Sequence, residues 1–137
     1  MGKINGSCLC GLVKYSCTSA PVFVAACHCS ACQKATGSAF AVVVGLKKDD
    51  FQVLGDDLKI YEHVGDSGNI SYRRFCSKCG SGIYSESPVM RPGMVTVRAG
   101  TLDETFDLKP TVNVYWRDRQ KWIEHINDLP QQETMKR

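Results

Sequence analysis

The chain has 137 residues, 43% of them apolar and 23% charged, with a net charge of +3. Those values fit one folded domain with a modest core and exclude a disordered tail. The longest apolar runs, Val22 to Cys27 and Ala39 to Val44, are too short to cross a bilayer, which argues against a membrane role.

No basic run exceeds two residues: Lys47-Lys48, Arg73-Arg74 and Lys136-Arg137 are the adjacent pairs. This is a weak footprint for nucleic acid, though it suits a small anionic ligand. The start, Met1 to Gly6, lacks the apolar stretch of a signal peptide, and Gly6 breaks the myristoylation pattern. A cytoplasmic protein is expected.

In chain order, Leu12 to Cys17 alternates, putting Val13, Tyr15 and Cys17 on one face of a strand. Pro21 marks a turn, and Val22 to Cys27 reads as a second strand. Ser30 to Thr36 is a short helix stopped by Gly37. Ala39 to Leu46 is a β-branched run suited to a buried strand. Further strands are expected at Phe51 to Leu54, Leu58 to His63, Ile70 to Cys76, Gly82 to Ser87, Met94 to Ala99 and Val112 to Trp116. Turn residues separate them at Gly55-Asp56, Gly65-Asp66, Ser67-Gly68, Pro92-Gly93 and Lys109-Pro110. From Gln131 on the chain is polar and expected to be loose. No repeat or linker interrupts the pattern, so residues 1–137 read as one mainly β domain with a core over about 4–125.

Eight cysteines stand out. A reducing cytosol disfavours disulfides, and the short spacings within Cys8-Leu9-Cys10, Cys27 to Cys32 and Cys76 to Cys79 suit metal ligation better. Tetrahedral zinc wants four converging thiolates. Cys76-Ser77-Lys78-Cys79-Gly80 can form a knuckle, with Gly80 permitting the positive φ such a turn needs. Cys8 and Cys10 cannot converge on a flat strand, where residues two apart lie roughly 7 Å apart, but Gly6 and Gly11 allow a bent loop. Cys8, Cys10, Cys76 and Cys79 are therefore expected to form a closed structural zinc site.

Cys27, Cys29 and Cys32 pack three thiols into six residues. Three protein ligands leave a fourth position open, the arrangement of catalytic zinc. His28 either closes that site or points away; its place between two ligands favours the latter. Cys17 reads as a buried thiol, and His63 and His125 as ordinary residues.

Taken together, Ser7 to Gly11, Cys27 to Ser38, Arg74 to Gly80 and Ala99 to Asp103 resemble the glutathione-dependent formaldehyde-activating family, which includes relatives of centromere protein V. The resemblance spans about Gly6 to Trp122 and implies a β-tent fold with two zinc ions per chain, structural and catalytic on the sets above. It also implies a carbon–sulfur lyase activity like that of S-(hydroxymethyl)glutathione synthase, in which a thiol such as glutathione adds to formaldehyde. One departure is Asn113, where many relatives carry His.

A substrate thiol would then take the open zinc position and lose its proton there. Gln33, Thr36, Ser38 and Phe40 follow the triad closely enough to line its pocket, and Arg73, Arg74, Arg91 and Arg98 are candidates for substrate carboxylates. Two competing readings are a zinc-ribbon-like module that binds nucleic acid or protein, and a thiol redox or metal sensor using the triad.

Overall fold

The computed structural model describes residues 3–104 and 107–135; the terminal Lys136-Arg137 pair and Met1-Gly2 lie outside that range. Among the described residues, ten strands form two sheets. Strands β1 (Ile4–Ser7), β2 (Lys14–Cys17) and β5 (Phe51–Leu54) make a small antiparallel sheet in the order β1-β2-β5. The large sheet contains β3 (Phe23–Cys27), β4 (Ala41–Lys47), β6 (Leu58–Val64), β7 (Ile70–Cys76), β8 (Gly82–Glu86), β9 (Met94–Arg98) and β10 (Val112–Val114). Its order is β10-β3-β4-β9-β8-β7-β6, antiparallel except for β10 beside β3. The predicted mainly β fold is therefore present. Among the described residues, one α-helix, α1 (Ser30–Thr36), and four short 3₁₀ segments complete the elements. No described helix is long and apolar enough to cross a membrane.

The expected alternation sets the core. Val13, Tyr15 and Cys17 lie buried against Val44, Leu46, Val95, Val97 and Ile83 of the large sheet. Each such aliphatic side chain contributes about 1.5–3 kcal/mol when fully buried. On β4 the pattern splits the chemistry between faces. Val44 and Leu46 enter the inter-sheet core, whereas Ala41 and Val43 pack with Cys27 and Cys32.

Several boundaries differ from expectation, among them β4 (Ala41–Lys47 against Ala39 to Leu46), and one strand is additional. Strand β1 carries no strong β pattern, yet it pairs with β2 from Ile4↔Cys17 to Ser7↔Lys14. The last strand stops at Val114 rather than Trp116, because Tyr115 takes a left-handed conformation (φ 53°) that a strand cannot continue. Residues 131–135 hold no helix or strand.

Tyr15 supplies a test of the core. Burial raises its phenol to about 12, against a hydrogen bond with Thr101 Oγ1 at 2.7 Å that pulls the other way. A phenol raised in the folded state stabilises below its unfolded value and loses that contribution as pH climbs through the folded one. Stability should therefore fall from about pH 10 to 12. Tyr15→Phe should flatten that fall in denaturant titrations at pH 9 and 11, at a neutral-pH cost of about 1 kcal/mol for the lost hydrogen bond.

Candidate metal centres

The first centre is built from two turns. The hairpin between β1 and β2 closes with Cys8 N–H donating to the Val13 carbonyl at 3.0 Å and Gly11 N–H to the Cys8 carbonyl at 3.1 Å. The knuckle after β7 closes with Gly80 N–H donating to the Cys76 carbonyl at 2.9 Å, and Gly80 has φ 80°. The turns face one another, and Leu9 N–H donates to Ser81 Oγ at 3.0 Å between them.

The four sulfurs of Cys8, Cys10, Cys76 and Cys79 lie within 4.8 Å of one another. Zn–S bonds of 2.3 Å require a tetrahedral edge of about 3.8 Å. The Cys8–Cys10 and Cys10–Cys76 separations are 3.6 and 3.8 Å, which fits. Backbone N–H groups of Val13 and Lys78 donate to the sulfurs of Cys8 and Cys76 at 3.3 and 3.4 Å, spreading thiolate charge. The Ser81 hydroxyl and backbone hold the Cys79 thiol down at about 5. Cys76 is fully buried, while Cys10 is exposed, so the cluster runs from core to surface.

The second centre forms where β3 runs into α1. Cys27, Cys29 and Cys32 also lie within 4.8 Å of one another, with Cys27 and Cys29 sulfurs 3.5 Å apart. Cys29 doubles as the helix N-cap, its sulfur accepting from Cys32 N–H at 3.3 Å. The helix ends at Gly37 in a left-handed conformation, as expected from sequence. Hydrogen bonding from Cys27 lowers the Cys32 thiol to about 5 against its burial, and Cys29, Arg98 and Arg73 add to the lowering. The same contact pushes Cys27 up.

His28 is not part of the cluster. Its buried ring turns to the opposite face, where Nε2 meets Asn113 Oδ1 at 3.0 Å between the rings of Phe40 and Trp116. Its backbone N–H also donates to the Val114 carbonyl at 3.1 Å. His28 and Asn113 thus fasten the triad loop to β10. The departure at Asn113 lies on the fastening side of β10, whereas Val112 and Val114 face the site.

A cavity of about 420 Å³ opens beside Cys27 and Cys32. Of the four residues expected to line the substrate pocket, none lines this cavity, and Thr36 lines an adjoining one. Gln33 donates to the carbonyls of His28 and Asp118 at 2.7 and 3.0 Å, tying α1 to the C-terminal segment. Thr36 Oγ1 donates to the Cys32 carbonyl at 2.7 Å, Ser38 is exposed, and Phe40 stacks on His28. The walls come instead from β3, β4 and β7 to β10, with Arg73, Arg98, Ser85, Thr96 and Tyr115 among the polar residues. Sequence proximity to the triad could not reveal them, because they are cross-strand neighbours.

The arginines now separate. Arg74 is committed to the buried carboxylate of Glu86 at 2.9 Å, which Lys48 also reaches at 2.7 Å. Arg91 covers the Phe23 ring at the cavity rim, 4.6 Å from its centroid. Arg73 and Arg98 face the cavity, whose lining includes no Asp or Glu. Burial pulls the Arg98 guanidinium down, and Cys32 opposes that. Cys17 is a core thiol 3.6 Å from Ser19 Oγ, and His63 and His125 join neither cluster.

The family model described as glutathione-dependent formaldehyde-activating enzyme matches residues 3–118. A crystal structure of a Rhodobacter sphaeroides protein is similar at 21% identity and TM-score 0.61, covering 80% of this chain and 98% of that one. No curated protein matches the chain.

Proposed function

Because the chain belongs to the glutathione-dependent formaldehyde-activating enzyme family, we propose that it joins a small anionic thiol to a carbonyl carbon, or cleaves that adduct, at Cys27, Cys29 and Cys32. The observation that carries this reading is the cavity: two triad cysteines share it with three arginines, Arg73, Arg91 and Arg98, and with no acidic side chain among the described residues. Glutathione, with two carboxylates and one thiol, suits such a wall, and formaldehyde is the family's electrophile.

Both cysteine clusters have the donor chemistry for zinc, four thiolates in one and three in the other. When bound to three thiolates, zinc supplies a position at which an incoming thiol loses its proton near neutral pH. Arg73 and Arg98 bind the thiol's carboxylates and so aim its sulfur at the triad. Phe23, Ala25, Val43, Val112 and Val114 keep the adjacent wall apolar and exclude water. The hydroxyls of Ser85 and Thr96 orient the carbonyl oxygen. The overall reaction is redox-neutral: a C–S bond forms, the C=O π pair goes to oxygen, and the thiol's proton ends there. Thiols and formaldehyde combine unaided, so positioning supplies most of the acceleration.

The metal-loaded protein is expected to accelerate hemithioacetal formation from glutathione and formaldehyde, followed by NMR line exchange; no acceleration and no cleavage of a C–S adduct would refute the reading. Arg98→Met should raise the KM for glutathione about tenfold or more with a smaller change in kcat, the effect of losing one charge-assisted contact worth about 1.5–3 kcal/mol. An unchanged KM would remove Arg98 from the substrate site.

A further inference from the structure

A second cavity, of about 480 Å³, adjoins the first, and Arg73, Ser85 and Arg98 line both. It holds no cysteine. Its remaining wall includes the rings of Tyr61 and Phe75 beside Ala35, Gly80 and Gly82, so it is largely aromatic and apolar. Helix α1 links the chambers. Cys32 lies in the first, and Ala35 and Thr36, three and four residues on and therefore on the same helix face, lie in the second.

Formaldehyde contributes one carbon to an adduct and leaves such a chamber without a function. A ligand anchored by carboxylates at Arg73 and Arg98, with its sulfur at the triad, can place a larger group on that sulfur across the arginine pair. We infer that this chain accepts thiol adducts of larger carbonyl compounds, with an aromatic or bulky apolar group seated between Tyr61 and Phe75. This rests on the anionic-thiol reading above. The chemistry stays the same: the C–S bond joins the thiol sulfur to the carbonyl carbon of an aryl aldehyde, and the proton passes to the oxygen. Charge complementarity selects the occupant, since the arginines at the junction demand an anion and the chamber beyond them favours a ring.

The test is calorimetric titration of the metal-loaded protein with S-methylglutathione and S-benzylglutathione, which share carboxylates and lack a free thiol. The benzyl conjugate should bind about tenfold tighter or more, as burial of a phenyl ring implies. Tyr61→Ala removes an exposed ring from the chamber wall, and Ala35→Phe fills the chamber from α1. Each should bring the benzyl-to-methyl ratio below about threefold. Equal affinities in the unaltered protein, or a ratio that survives both substitutions, would overturn the inference and leave the thiol reading standing. If neither conjugate nor glutathione binds, both fall together.

Discussion

Cys76→Ser should yield a chain that no longer folds at 25 °C, with its β circular dichroism and its structural metal lost together. Cys76 is wholly buried and joins the knuckle after β7 to the β1–β2 hairpin through the sulfur of Cys10. A structural zinc contributes about 10–16 kcal/mol of folding free energy in small domains, while a whole domain of this kind is stable by only about 5–15 kcal/mol. Losing most of the former removes all of the latter. Cys17→Ser is the useful contrast, because Cys17 is buried in the same core but belongs to no cluster. It should cost about 1–3 kcal/mol, the penalty of burying a hydroxyl with poor partners, and leave both metals bound. If Cys76→Ser melts within a few degrees of the unaltered chain, the four-cysteine centre does not organise the fold.

Cys32→Ser should separate chemistry from folding. Its sulfur belongs to the triad on α1, and the small sheet and the four-cysteine centre do not depend on it. The substituted chain is expected to keep its circular dichroism, retain one metal of two, and lose activity by at least about 10²-fold, since even an outer partner of a metal ligand is worth 10–100-fold. Metal analysis and adduct kinetics on the same sample check this. Full activity with one metal would place the reaction elsewhere; an unfolded product would mean that the triad also holds the fold.

Much of this was readable in the sequence where the signal is local. Helix α1 and strands β5 and β7 fall where capping, glycine punctuation and alternation put them. Both cysteine clusters assemble as their spacing required. Strand β1 was not readable, because Ile4-Asn5-Gly6-Ser7 has little strand propensity of its own. It depends on pairing with β2, where Gly6 sits opposite Tyr15 and a Cβ would meet the tyrosine ring. The cavity wall was beyond reach for a related reason. Arg73, Thr96, Arg98 and Val114 come to the triad through the strand order β10-β3-β4-β9-β8-β7, and no periodicity in one segment reveals its neighbour in another. Residues adjacent in sequence, Gln33 and Phe40, are instead used to brace the helix and His28.

The proposed function rests on two unlike metal centres, one closed by four cysteines and one receptive. Cadmium NMR on the ¹¹³Cd-substituted chain reads each directly, with glutathione titrated into the tube. Two resonances are expected, of which the one lost in Cys32→Ser moves with added thiol while the other stays fixed. A single resonance, or a pair that both ignore glutathione, would contradict it.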